Sequence, residues 1–147
     1  MRVCLPLVPR WVRFGAVVAV GAVILYYSVV PAPGSGSFRT GPLGLFPFSD
    51  WLHLLAYGGF AVTLAYAFQH STLPEWQVLL AVFLVTVGYG ASIELLQAGL
   101  PNRTFAVADM VVNALGAALA VAMWRGLTRY VRFYQTRRVT DLELPIQ

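Results

Sequence analysis

Four apolar stretches divide the chain: Phe14 to Val30, about Asp50 to Gln69, about Trp76 to Gln97, and about Phe105 to Trp124. At about 1.5 Å per residue, each reaches across or nearly across a hydrocarbon core of about 30 Å. Backbone in lipid has no water to bond with, so such stretches read as helices, which satisfy their own N–H and C=O groups. The pattern predicts an all-α fold. It is an integral membrane bundle of four transmembrane helices, forming a single membrane domain over residues 1–147. The first run also has the basic flank and the Pro/Gly/Ser-rich follower of a secretory signal peptide. Its length and the lack of an Ala-x-Ala site favour a span.

The links are polar or rich in breakers. Pro31 to Ser49 is a Pro/Gly/Ser-rich loop carrying Arg39. Leu73-Pro74-Glu75 is short, so the second and third runs form an antiparallel hairpin. Pro101-Asn102-Arg103-Thr104 is a tight turn, and Ser49 or Asp50 is placed to cap the second helix. Beyond Trp124, Arg125, Arg129 and Arg132 recur at helical spacing among Leu127, Tyr130, Val131 and Tyr134. That predicts a basic C-terminal interfacial helix continuing the fourth span over anionic headgroups. A solvated helix end whose arginines only fix topology fits the same spacing.

The few polar residues inside the runs fall at one depth. Asp50, His53 and Tyr57 stand at i, i+3 and i+7, on one face of the first two turns of the second span. Glu94 and Gln97 occupy the last two turns of the third span. Arg103 is in the following turn, and Asp109 and Asn113 stand at i and i+4 early in the fourth. Six charged residues lie between Phe14 and Trp124, namely Arg39, Asp50, Glu75, Glu94, Arg103 and Asp109. Four of them belong to this set. A carboxylate in an apolar segment costs roughly 2.5 kcal/mol or more near a bilayer centre, and such groups face a bundle interior or a wet cavity. The placement predicts one polar pocket between the second, third and fourth helices. Gly88 with Ser92, and Gly116 with Ala120, are small pairs that let helices approach, though glycine and alanine are common in such helices anyway.

Composition agrees. The chain of 147 residues is 59% hydrophobic and 11% charged, with a mean hydropathy of +0.70. Soluble domains carry about 25% charged residues. The net charge is +4, and every basic residue is arginine. The arginines sit at the two ends as topology signals, so no nucleic-acid partner follows from them. Three arginines precede the first span and five follow the fourth. The loops holding Arg39 and Arg103 have one each, which places both termini in the cytoplasm of a multi-pass cell-membrane protein and the pocket on the outer side. Cys4 is the only cysteine, so no internal disulfide exists.

Each candidate has two readings. Glu94 suits a general acid or base or a cation ligand; it also suits a buried pair with Arg103 that fixes the turn. His53 suits proton relay or a hydrogen-bonded interface. Asp109 suits chemistry or simple compensation of a helix dipole, and Asp50 suits an N-cap. Gln97, Asn113 and Tyr57 read as partners orienting the charged groups. Arg103 is the natural anion contact, because its planar fork holds phosphate or carboxylate in two hydrogen bonds. Asp50, His53, Glu94 and Asp109 offer one nitrogen and three carboxylates. Their spacing is not a metal signature, and no metal or cofactor is expected. His70 reads as a loop residue. Tyr26, Tyr27, Trp51, Trp76, Trp124 and Tyr130 read as an aromatic belt.

Several motifs together resemble the VanZ-like family of membrane proteins. They are Asp50-Trp51-Leu52-His53-Leu54-Leu55-Ala56-Tyr57, Ile93-Glu94-Leu95-Leu96-Gln97, Pro101-Asn102-Arg103-Thr104-Phe105, and Asp109-Met110-Val111-Val112-Asn113-Ala114-Leu115-Gly116. The resemblance covers roughly Asp50 to Ala120. The family often has a lysine directly after the first aspartate; here Trp51 stands there and suits an interfacial anchor. The resemblance implies a small helical membrane protein. The family's namesake is associated with low-level resistance to teicoplanin, a lipid-tailed glycopeptide antibiotic. Three functions follow as expectations. The first is binding of an amphiphile at the outer leaflet, whether a membrane lipid, a lipid-linked glycan or a lipidated antibiotic. The second is envelope-lipid chemistry with Glu94, His53 and Asp109 as the catalytic acid–base groups. The third is a structural or assembly role. A homo-oligomer stays open in all three.

Overall fold

The computed structural model describes residues 3–30, 40–44, 47–100 and 106–135. The predicted runs are helices: α1 (Arg10–Val29), α2 (Phe48–Ala67), α3 (Glu75–Ala98) and α4 (Val107–Leu127). Arg39 and Arg103 lie outside the described residues.

Prolines mark three of the helix starts. Pro9, Pro47 and Pro74 precede α1, α2 and α3 with φ near −50° and extended ψ. A proline there loses no hydrogen bond, because the first N–H groups of a helix have no intrahelical partner. The predicted side-chain cap on α2 is therefore a correction: Pro47 holds that position without a side-chain bond. Asp50 lies in the first turn and accepts from Ser49 Oγ at 3.0 Å.

α2 is the centre of the bundle, packed against α1, α3 and α4, with its largest contact to α4. The buried core runs along it through Tyr57, Phe60, Ala61 and Leu64, joined by Ile24, Val82, Ile93 and Ala117. Gly116 makes the α2–α4 contact possible. A Cβ there would stand 2.5 Å from the Leu54 carbonyl oxygen. At Gly88, by contrast, a Cβ would meet nothing within 4 Å, so that small residue does not mediate packing. The outer faces are apolar too, with Val18, Leu84, Leu115, Leu119 and Met123 all exposed. Patches of that kind suit lipid.

By length and composition, α1, α3 and α4 are apolar enough to cross a membrane. α2 matches them in length but falls outside that set, since Asp50 and His53 occupy its first two turns.

The ends of the chain meet in an element that helical periodicity does not predict. β1 (Val3–Leu7) pairs in parallel with β2 (Val131–Gln135), with Cys4 opposite Arg132 and Leu5 opposite Phe133. This corrects the basic interfacial helix: among the described residues, no helix continues past Leu127. The competing pattern is alternation. Val131 and Phe133 are partly buried, whereas Arg132 and Tyr134 are exposed. β-branched and aromatic residues of this kind suit a half-buried strand. Phe133 stacks on Trp124 at 5.9 Å between ring centroids and meets Tyr66 edge-on at 5.5 Å. Trp124 is buried in that cluster, so it is not an aromatic-belt residue. His70 is more than a passive loop residue: it contacts the Phe133 carbonyl oxygen through Nε2 at 2.9 Å.

Arg13 ties α1 to the same end. Its guanidinium Nη1 donates to the carbonyls of Tyr66, Ala67 and Gln69 at 3.1, 2.9 and 3.0 Å. These carbonyls stand at the close of α2 and just beyond it, where a cation also complements the helix dipole.

Candidate functional site

The antiparallel order of the helices sorts the charges. The start of α1, the end of α2, the start of α3 and the end of α4 share one end of the bundle. The five described arginines, Arg10, Arg13, Arg125, Arg129 and Arg132, all belong to that end. The opposite end holds the start of α2, the end of α3 and the start of α4, and with them Asp50, His53, Glu94 and Asp109.

Three of those four converge. His53, Glu94 and Asp109 come from α2, α3 and α4, and one ligand-type atom from each lies within 4.8 Å of the others. His53 Nε2 stands 3.8 Å from Asp109 Oδ2, and His53 Nδ1 stands 3.0 Å from Asn113 Oδ1. Asn113 is buried one turn beyond Asp109. The Tyr57 ring lies parallel to the imidazole with centroids 6.2 Å apart. Asp50, on the same face of α2, stays with Ser49 and outside this group.

Glu94 has no solvent exposure. Its Oε2 accepts the backbone N–H of Ala106 at 3.2 Å, just before α4 begins. Its Oε1 has no hydrogen-bond partner among the described residues, nor do the Tyr57 hydroxyl and Asn113 Nδ2. Buried polar atoms are ordinarily paired, and leaving one unpaired costs about 1–3 kcal/mol, more when the group is charged. All three of these atoms are at the same end of the bundle.

Gly90 makes the close packing possible. A Cβ at that position would approach Tyr57 Cε1 to 3.0 Å and Asn113 Nδ2 to 3.1 Å. Sequence reading missed this glycine, whose only signal was its place one helical turn before Glu94. Gln97 lies elsewhere than expected. Its Nε2 donates to the Ser28 carbonyl at 2.9 Å, so it ties α3 to α1.

The His53 and Asp109 side chains are 24% and 32% exposed, whereas Glu94 is fully buried. Exposed Leu52, Leu95 and Val111 flank them on the same helices. A separate cavity of about 640 Å³ sits at the arginine-bearing end, lined in part by His70, Glu75, Arg125, Arg129 and Arg132. It contains none of the clustered residues.

A family profile described as VanZ/LLP1 matches residues 9–129, most of the chain. No curated protein and no solved structure matches.

Proposed function

The chain belongs to the VanZ/LLP1 family, and on that premise we propose that it binds the polar head of an amphiphile at the outer face of the cell membrane. The ligand class is a lipid, a lipid-linked glycan or a lipidated glycopeptide. The observation that carries this reading is Glu94. It is a fully buried carboxylate with one oxygen unpaired among the described residues, grouped with the partly exposed His53 and Asp109. Apolar side chains on the same turns offer a surface for acyl or prenyl chains, and Arg103, between α3 and α4 in sequence, is the residue proposed to meet a headgroup anion.

The proposed topology has four spans, with both termini cytoplasmic. α2 counts as a span because it packs against the other three helices while its exposed face, with Leu52, Leu55 and Val62, is apolar. The arginines gathered at one end match cytoplasmic placement under the positive-inside rule. The candidate site is then at headgroup depth on the outside.

The test is lipid extraction from full-length protein purified in mild detergent, with mass spectrometry of what stays bound. Wild type retains a defined amphiphile near one per chain. His53→Gln and Asp109→Asn, both at partly exposed positions, lose most of it with unchanged helical circular dichroism. Equal retention in all three proteins overturns the reading.

One observation favours a second role for the same residues. Glu94 Oε2 receives the Ala106 N–H, and His53 reaches Asn113, so the cluster also stitches α2, α3 and α4 together. If stitching is its whole role, variants lose thermal stability in step with any loss of ligand.

A further inference from the structure

We propose that His53, Glu94 and Asp109 form an open site for a first-row divalent cation of the Zn2+ or Mn2+ class. The proposal stands whether or not an amphiphile binds. The donors come from three helices, which explains why no local spacing announces them.

The geometry fits an ion. His53 Nε2 and Asp109 Oδ2 are 3.8 Å apart. Two ligands each about 2.1 Å from one ion stand that far apart when they subtend about 130°. The three donor atoms lie within 4.8 Å of one another, so closing them around an ion needs shifts on the order of 1 Å. Rotation of the partly exposed Asp109 and His53 side chains supplies such shifts.

The hydrogen bonding fits as well. Asn113 Oδ1 is an acceptor, so His53 Nδ1 carries a proton and donates to it. In the cation-bound state the ring is neutral, and its Nε2 lone pair and the Asp109 carboxylate, 3.8 Å apart, both turn to the ion. A histidine held through one nitrogen by an oxygen acceptor, with the other nitrogen free, is the usual outer-shell arrangement of a metal ligand.

Glu94 supplies the independent observation. It is fully buried, its Oε2 is engaged by Ala106, its Oε1 has no partner among the described residues, and one of its carboxylate oxygens lies within 4.8 Å of the other donors. A buried carboxyl in that state is stabilised by a nearby cation or by a proton, and a bound metal ion supplies the first. The described arginines are all at the far end of the bundle, and Arg103, between α3 and α4 in sequence, lies outside the described residues. One imidazole and two carboxylates suit zinc, manganese or iron better than copper(I), which prefers thiolates. Cys4 is at the other end. Three protein ligands leave a coordination position for water or for an anionic oxygen.

The experiment uses the full chain in detergent, with any affinity tag removed and metal stripped by chelator. Zn2+ is titrated by equilibrium dialysis, and Co2+ is added separately as a spectroscopic probe. The expected result is about one saturable Zn2+ per chain, displaced by excess Mn2+. The Co2+ form should show visible ligand-field bands without thiolate charge transfer. His53→Gln, Asp109→Asn and Glu94→Gln should each weaken binding at least tenfold. Asn113→Leu, which removes the outer-shell acceptor, should weaken it about 10–100-fold. His70→Ala should leave it unchanged. Absence of saturable Zn2+ and Mn2+ binding by wild type overturns the proposal, as does binding that survives in the His53→Gln/Asp109→Asn double variant. The wild-type titration and Co2+ spectrum need no variant, so a folding defect in any one of them does not shelter the idea.

Discussion

Gly116 and Gly88 show how little residue identity says without its neighbours. Both read as small residues on an apolar helix. Only Gly116 touches another backbone, with the Leu54 carbonyl where its Cβ would be. Gly116→Ala should push α2 and α4 apart and cost about 1–3 kcal/mol, as overpacking does. Gly88→Ala, in open space, should be neutral or stabilise by up to about 1 kcal/mol through helix propensity. Thermal melts of the two variants in one detergent compare them directly. Arg13 carries a similar lesson: its sequence position marks topology, while its side chain closes α2. Arg13→Ala should cost about 1.5–3 kcal/mol, the usual range for hydrogen bonds to a charged group. The same melts measure it, and a loss well under 1 kcal/mol would discount those three contacts.

At the scale of elements, hydrophobic runs located all four helices to within a few residues, because helix length and apolarity are local properties. The convergence of His53, Glu94, Asp109 and Asn113 was legible for a related reason. Polar residues in apolar helices fix their own depth, and antiparallel order brings equal depths together. The strands were not legible. Pairing of Val3–Leu7 with Val131–Gln135 joins the two ends of the chain, and nothing local records it. The spacing of Arg125, Arg129 and Arg132 argued for a helix, while the docking of Phe133 on Trp124 and Tyr66 decided for a strand. The same blindness to partners sent Gln97 to the cluster in sequence reading and to Ser28 in the fold. The strand pairing has a chemical test. Cys4 faces Arg132 in register, and neighbouring strands are close enough for a disulfide. Arg132→Cys should therefore cross-link to Cys4 under mild oxidation, read as a mass loss of two hydrogens with no dimer. Slow or absent cross-linking would favour a helical tail.

The whole molecule is polarised, with five described arginines at one end and the carboxylate–histidine cluster at the other. These ends are expected to lie on opposite sides of the membrane, with α2 crossing it despite its lower apolarity. In intact cells a membrane-impermeant thiol reagent should leave Cys4 unlabelled. In a Cys4→Ser background, Ser49→Cys at the start of α2 should label and Thr72→Cys after its end should not. Equal labelling of the last two positions would mean that α2 does not span.

All of this turns on whether the buried carboxylate is there for a ligand or for the bundle. Glu94→Gln keeps the size of the side chain and an oxygen for the Ala106 N–H, but removes the charge. Its thermal stability and its retained amphiphile are measured on one preparation beside wild type. The expected result is a loss of stability of no more than about 1 kcal/mol, the worth of an ordinary hydrogen bond, together with at least a tenfold loss of bound amphiphile. Unchanged retention, or a loss of ligand that merely follows a collapse in stability, would contradict it.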